Sequence, residues 1–133
     1  MATTNSDYAE NKLVDHVLGT ASFTMPAAVS LALFTTNPNF ETGAGGTEAT
    51  GGSYARKAIA FTASSGGATS NTAQKVFTVG TDLAAGTYTG WGVYDAASAG
   101  NLLFGDAFAS NRVVSTTGDT ITFAAAAITY SMT

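Results

Sequence analysis

The sequence predicts an all-β protein, an antiparallel β-sandwich of Ig-like or jelly-roll-like type with one short N-terminal helix. Three observations predict this class. After position 20, apolar residues recur at every second position, which is the period of a strand. The alternating runs are short and are separated by glycine-rich turns, as in β-sandwiches. Only one stretch, close to the N-terminus, has the spacing of an amphipathic helix.

The 133 residues are expected to form one domain. Residues 1–7 are mostly small and polar and are expected to form a flexible arm. Residues 8–19 are expected to form a docking helix, and residues 20–133 the β-sandwich domain. Residues 37–53 carry many Gly, Thr and Glu residues, and they form a loop longer than most connections in a compact domain. Such a loop is usually functional, disordered or ordered by a partner.

The helix is predicted to run from about Tyr8 to Leu18. Asp7 is the expected N-cap, with Glu10 three residues later in a variant of the capping box. Gly19 is the expected stop. A helix of three turns is marginal alone in water, so its apolar face should pack on its own sheet or on a neighbouring subunit. That face carries Leu13, Val14, Val17 and Leu18.

The strands follow from the alternation of apolar residues and from the turn residues between the runs. Trp91 is interpreted as the anchor of the core, with a sugar-stacking platform of Trp91, Tyr88 and Tyr94 as the competing interpretation. Glycines between these aromatic residues indicate close approach of another backbone or ring. The strands are predicted at residues 29–34, 54–62, 69–79, 88–95, 102–108, 112–115 and 120–132. In strand 88–95, Thr89, Trp91 and Val93 are expected to face one way and Tyr88, Gly90, Gly92 and Tyr94 the other.

The composition favours a subunit of an assembly. Only 11% of residues are charged, against about 25% in an average soluble domain, and a surface this poor in charge is easiest to keep if part of it is covered. The net charge of −4 disfavours nucleic acid as a partner. No apolar run is long enough to span a membrane, and the N-terminus lacks the features of a signal peptide. Synthesis in the cytoplasm without export by that route is therefore expected.

Catalytic chemistry is not predicted. His16 is the single histidine and has no partner at metal-ligand spacing, and the chain has no cysteine. Motifs of nucleophilic catalysis or phosphate binding are also missing. Four acids lie near strand ends, where two of them could hold Ca²⁺, although turn capping is the commoner reason for such residues. We therefore expect no enzyme, no catalytic residue, no metal, no cofactor and no small-molecule substrate. The four acids are Asp82, Asp95, Asp106 and Asp119.

Contact with other subunits is predicted to involve the helix, the long loop and the segment that follows the loop. Arg56 and Lys57 are adjacent and point to opposite faces, so at least one should reach solvent or an acid of a neighbouring subunit. The predicted interface residues are Leu13, Val14, Val17, Phe40, Glu41, Glu48, Tyr54, Arg56 and Lys57.

Several phrases occur together in an order that resembles a family of small bacteriophage virion proteins. The most specific are SYAR at 53–56, VYDA and GNLL within 93–103, and GDTITFAAAAIT at 118–129. The resemblance runs from about Glu10 to Thr129. It is to proteins described as tail-fibre-like or as minor capsid and head-decoration (cement) proteins. It implies a role in the particle and not a reaction.

The resemblance implies a capsid decoration protein that binds across capsid subunits and stabilises the head. The alternative is a tail fibre or baseplate component, and a second alternative is a carbohydrate-binding β-sandwich module. The head surface is preferred over the tail because the sequence lacks the long repeats or coiled coil of many fibres. The expected partners are the major capsid protein and copies of this chain, as a trimer or other homo-oligomer, with no nucleic acid and no membrane.

Overall fold

The computed structural model describes residues 3–132 as one helix and ten strands. The helix α1 spans Asp7–Val17. The ladders between the strands are antiparallel. The predicted class, mostly antiparallel β with one short N-terminal helix, is therefore confirmed. The strands are β1 (Thr4–Asn5), β2 (Val29–Thr36), β3 (Thr47–Glu48), β4 (Lys57–Ile59), β5 (Ala68–Ser70), β6 (Lys75–Thr78), β7 (Gly86–Tyr94), β8 (Leu102–Val114), β9 (Thr120–Phe123) and β10 (Thr129–Ser131).

Six strands form the main sheet, in the order β1-β8-β7-β2, with β3 and β4 on successive parts of the far edge of β2. At its centre Leu33 pairs with Trp91 and Leu31 pairs with Val93. All four residues are fully buried. Side chains paired across antiparallel strands point to the same face of a sheet. This face is therefore the floor of the hydrophobic core.

The second layer consists of two ribbons that are successive parts of one antiparallel pairing. β5 pairs with β10 and β6 pairs with β9, so segments 68–78 and 120–131 run side by side. Between the ribbons the ladder is interrupted at Asn71, which is buried. Its Oδ1 accepts from the Ile128 N–H at 2.8 Å, and its Nδ2 donates to the Ala124 carbonyl at 3.0 Å. The side chain thus replaces ladder hydrogen bonds that the interruption removes.

Two predicted strands are wrong in length because of this interruption. The prediction for 69–79 splits into β5 and β6, and that for 120–132 splits into β9 and β10. By contrast, the predicted strands 102–108 and 112–115 are one strand, β8, whose pairing with β7 shifts register between Ala107 and Arg112. The pairing groups the strands into one large sheet and two small ribbons, and the Ig-like or jelly-roll-like type of sandwich stays a prediction.

Aromatic rings fill the space between the main sheet and the ribbons. The indole of Trp91 meets Phe104 and Phe123 edge-on, with centroids 6.1 and 6.2 Å apart. Such contacts add to the free energy gained from apolar burial. The interpretation of Trp91 as the core anchor is confirmed. The sugar-stacking platform is wrong, because Trp91 and Tyr88 are buried in this core.

The opposite face of the main sheet is built on glycines that aromatic rings cover. A Cβ at Gly92 would lie 3.0 Å from the Phe34 ring, and one at Gly105 would lie 2.9 Å from the Phe40 ring. The predicted close approach at Gly92 is therefore confirmed. The expectation that Tyr88 shares this face is wrong, because a register shift in the β7–β8 ladder turns Tyr88 into the core.

Residues 1–7 are expected to form a flexible arm. The first two of them lie outside the described part, and the others include the paired strand β1, the helix cap and the first helical residue. Strand β1 pairs with Phe104 and Gly105 of β8. The helix cap is Ser6 and not Asp7, because the Ser6 Oγ accepts from the Ala9 N–H at 3.2 Å. The first helical residue is Asp7.

The long loop at 37–53 is held by contacts within the chain. The Asn39 Oδ1 accepts from the N–H groups of Glu41 and Thr42, each at 3.0 Å. Near its end, the Ala49 N–H donates to the Leu33 carbonyl at 2.9 Å. The loop also contains β3, which pairs with β2. It thereby closes one edge of the main sheet and covers the glycine-lined face.

Candidate interaction surface

The helix α1 rests on β8 through one side only. Ala9 is buried and Leu13 is half-buried against the sheet. The helix ends at Val17, and the predicted stop, Gly19, follows the C-cap Leu18 with a φ of +74° that favours glycine. The chain then folds back beside the last turn, where the Phe23 N–H donates to the His16 Nδ1 at 3.1 Å. The position of α1 is thus fixed at both ends.

The rest of the predicted apolar face of α1 points away from the protein. Val14 is 53% exposed, Val17 is 77% exposed and Leu18 is 72% exposed. Residues spaced by three and four positions lie on one face of a helix. The three side chains therefore form a continuous apolar ridge, which we call the helix ridge.

An apolar groove of about 260 Å³ lies beside the helix ridge. The residue that joins them is Leu13, which lines the groove and lies four positions before Val17 on the same side of α1. The groove opens between the helix, the returning segment, the main sheet and the β5–β10 ribbon. Its lining includes Ala9, Phe23, Pro26, Phe61, Phe104 and Tyr130.

The predicted interface residue Arg56 is engaged inside the protein. Its side chain is only 7% exposed and forms a two-pronged pair with the Glu48 carboxylate, with both N–O distances 2.8 Å. Its remaining terminal nitrogen donates to the carbonyls of Ala96 and Ala99 at 3.0 and 2.7 Å. The guanidinium also lies 3.7 Å from the centre of the Tyr94 ring. Arg56 therefore ties the 95–101 turn to the edge of the main sheet.

Tyr54 completes the same cluster by closing the gap between β3 and β4. Its hydroxyl accepts from the Leu33 N–H at 3.1 Å and donates to the Glu48 carboxylate at 2.9 Å. Its ring stacks on Phe77 of the core with centroids 6.3 Å apart. Burial, and to a lesser degree the Glu48 charge, raises the pKa of Tyr54 well above its usual value. We call Glu48, Tyr54 and Arg56 the Arg56 cluster.

The remaining predicted interface residues also make contacts within the chain. The Lys57 ammonium lies 3.2 Å from the Asp82 carboxylate in a pair that solvent reaches. Phe40 meets Phe34 edge-on at 6.1 Å. The carbonyl of Glu41, whose side chain is exposed, accepts from the Asp7 N–H at 2.6 Å. Contact of the nine predicted residues with another subunit stays a prediction, and among them Val14 and Val17 are the most exposed apolar residues.

Sequence reasoning missed most of the groove. Its lining comes from elements as distant in the chain as α1 and β10, which only the fold brings together. Leu18 belongs to the helix ridge and was left out of the predicted interface. Its spacing of four residues from Val14 was the signal that could have included it. Met25 is a further exposed apolar residue, at 84%.

Three of the four acids, Asp82, Asp95 and Asp119, act as turn caps, as the commoner interpretation predicts. Asp82 accepts from the Thr78 N–H at 3.0 Å, and Asp95 accepts from the Asn101 N–H at 2.7 Å. Asp119 accepts from two backbone N–H groups. The prediction that Asp106 lies near a strand end is wrong, because Asp106 lies inside β8, where its carboxylate accepts from the N–H of Ala107. Carboxylates that accept such bonds stabilise turns.

The described residues contain no group of three or more His, Asp or Glu side chains placed to hold a metal ion. His16 is exposed in the last helical turn, and its Nδ1 accepts from the backbone, as described above. Within residues 3–132, no helix has the length and apolar character needed to cross a membrane.

The fold and its surfaces define a class of protein: a small β domain that carries an exposed apolar ridge beside an apolar groove. A family model described as Podophage GP4 fiber I protein gp80 matches residues 4–131. The chain therefore belongs to this family of podophage fibre proteins. Among curated proteins, none matches the sequence.

Family membership decides several of the predictions. The chain is a structural component of a phage virion, and the prediction that it is not an enzyme is confirmed by the family to which it belongs. The resemblance to phage virion proteins is confirmed at the level of the virion. The family is a fibre family, and this favours the tail fibre or baseplate alternative over the capsid decoration protein that the sequence analysis put first.

Proposed function

We propose that this chain is a subunit of the tail fibre assembly of a podophage, and that the helix ridge and groove dock it onto a neighbouring fibre protein. The observation that carries the docking is the exposure of Val14, Val17 and Leu18 beside an apolar groove. Contiguous exposed apolar surface on a folded domain marks an interaction site. The description of the family as fibre proteins supports the tail placement.

The rigid part of the domain suits this role. The Arg56 cluster and the Asn71 interruption satisfy their polar groups within the chain, so the sheet and ribbons need no partner to be stable. The helix ridge leaves three large apolar side chains in water beside the groove, and among the described residues Met25, Val113 and Met132 are exposed as well. A fibre subunit of this design combines a stable β domain with one docking surface, the helix ridge and groove.

Gold labelling of this chain on purified particles tests the tail placement. We expect label at the tail and a copy number far below that of the major capsid protein. Label spread over the head, with a copy number close to that of the capsid protein, would overturn the fibre assignment in favour of decoration of the head.

Two matched valine substitutions test the docking surface. Val17→Asp puts a charge on the helix ridge, and Val113→Asp puts the same charge on β8, where the native valine is 69% exposed. We expect particles assembled with Val17→Asp to lack this chain and those with Val113→Asp to keep it. Equal incorporation of the two variants would contradict docking through α1.

A further inference from the structure

The exposed face of α1 is apolar only in its C-terminal half, where the helix ridge lies. Glu10 lies four positions before Val14, and Asp7 lies seven positions before it, so both belong to the same face of the helix. Both acids are exposed. The face therefore presents carboxylates in its N-terminal half and the side chains of Val14, Val17 and Leu18 in its C-terminal half.

The mouth of the groove has the same combination of acid and apolar surface. Tyr130 lines the groove, and burial together with the nearby Glu10 carboxylate raises the pKa of its phenol. Glu10 therefore lies where its charge acts on both the helix face and the groove. The nearest cation on the helix, Lys12, extends over the Tyr8 ring at 5.9 Å.

The two cations of the chain nearest the core already form ion pairs within the chain. Arg56 is paired with Glu48, and Lys57 is paired with Asp82. The net charge of the whole chain is −4. A partner that binds α1 therefore meets two exposed acids, Glu10 and Asp7, that form no ion pair with any residue in the described part of the chain.

A second copy of this chain is a poor match for that surface. Two α1 helices packed in parallel would place Glu10 beside Glu10, which is a like-charge contact. Packed antiparallel about Val14, they would place Glu10 against Leu18, which desolvates a carboxylate on an apolar side chain. Neither arrangement pairs the acids with a cation.

We propose that the helix ridge and groove bind a segment of a different virion protein that combines apolar side chains with one or more Lys or Arg residues. The apolar side chains cover Val14, Val17 and Leu18 and enter the groove, while the basic residues pair with Glu10 and Asp7. This names the partner chemistry for the docking proposed above and rests on it. A groove of about 260 Å³ has room for one or two side chains of ordinary size.

Photocrosslinking in the assembled virion tests the partner chemistry. A benzophenone amino acid replaces Val17 in the full chain, and Val113 carries the same replacement in a control chain. Particles built with each are irradiated, and the linked peptides are sequenced by mass spectrometry. We expect position 17, and not position 113, to link to a peptide of another virion protein that contains apolar residues and Lys or Arg.

Other links overturn the proposal. A link to a second copy of this chain would show that the surface is self-associating, and a link to a peptide without basic residues would remove the charge argument. The absence of any link at position 17 would remove the docking itself. If the linked apolar and basic peptide comes from a head protein, the partner chemistry stands and the tail placement fails.

Charge substitutions at Glu10 give a second readout. Glu10→Gln removes the charge and Glu10→Lys reverses it at an exposed position, so neither should prevent folding. Incorporation into particles should fall in that order, by about ten-fold for Glu10→Lys. Raised salt during assembly should weaken incorporation of the native chain more than that of Glu10→Gln. Native-like incorporation of Glu10→Lys would exclude a basic partner.

Discussion

The Arg56 cluster and two residues of the helix ridge, Val14 and Val17, are both predicted as interface from the sequence, and the structure separates them. In the Arg56 cluster the side chain of Arg56 is 7% exposed and that of Glu48 is 28% exposed, and their charges and hydrogen bonds are satisfied within the chain. In the helix ridge, large apolar side chains stand in water with no polar group to satisfy. Polar residues that are fully paired inside a chain stabilise it. Apolar residues left in water are available to a partner.

The largest effect on stability is expected from Arg56→Met. The substitution keeps an apolar stem but leaves the Glu48 carboxylate and two backbone carbonyls without their donor. The pair is partly exposed at Glu48, so breaking it from one side should cost about 2–3 kcal/mol. Urea unfolding at neutral pH measures the change. The control is Lys57→Met, which breaks the more exposed pair with Asp82 and should cost less than about 1 kcal/mol. Equal losses would mean that Arg56 is no more structural than Lys57.

A smaller effect is expected from Tyr54→Phe, at about 1–2 kcal/mol near neutral pH. The loss follows from the Leu33 N–H and the Glu48 carboxylate, each of which loses a hydrogen-bond partner. Urea unfolding again gives the value. No loss at all would indicate that water replaces the hydroxyl at the sheet edge.

The pH dependence of stability gives a second test of the role of Tyr54. The folded pKa of Tyr54 is raised above its unfolded value of 10.0, mainly by burial. As the pH rises, the unfolded chain therefore loses the Tyr54 proton at a lower pH than the folded chain does. The stability that Tyr54 contributes is fully present below about pH 10 and is lost as the pH rises through the folded pKa. Unfolding followed from pH 8 upward should show a steeper alkaline loss for the native chain than for Tyr54→Phe. Identical slopes would place the titrating groups elsewhere, among the other buried tyrosines.

A still smaller effect is expected at low pH from Asp82→Asn. The Thr78 N–H, and then Lys57, hold the pKa of Asp82 below its usual 3.8. The folded state thus binds this proton less readily than the unfolded state, so its contribution is present above about pH 4 and is lost as the pH falls through the folded pKa. Solvent reaches this pair, so the contribution stays below about 1 kcal/mol. The acid limb of stability against pH should be flatter in the variant, and an unchanged limb would contradict the assignment.

The smallest effect on stability is expected from Val17→Ala in the helix ridge. Its side chain is 77% exposed, and alanine is the better helix former, so the free energy of unfolding should change by less than about 0.5 kcal/mol. The matched control is Val93→Ala, where the same two methyl groups are fully buried and their loss should cost about 2 kcal/mol. Thermal unfolding compares the two. A large loss for Val17→Ala would show that the ridge belongs to the core.

The helix was predictable because its signals are local. The apolar spacing and Gly19 predicted where the helix ends. Ser6 and Asp7 are both good N-cap residues, and which of them caps the helix depends on the position of β8. The split of the last predicted strand was not predictable, because alanines carry no turn signal. The residue that holds the chain there is Asn71, more than fifty positions away.

The Arg56 cluster and the helix ridge show why the sequence predicted only part of the candidate site. Arg56 and Glu48 are eight residues apart, and their pairing depends on β3 and β4 meeting the same edge of β2. Amphipathic spacing identified the apolar face of α1 but could not show how much of it the sheet covers. Leu13 lines the groove, while Val17, four positions later on the same side of the helix, is exposed to water.

The span of the groove in the chain has a consequence for the order of folding. Its lining extends from Ala9 to Tyr130, and β1 pairs with residues about a hundred positions later. Pairings this distant form late and slowly. A subunit that is truncated, or still folding, therefore has no groove to offer. In the docking proposed above, only a finished chain would offer the groove to a partner, so assembly would select complete subunits.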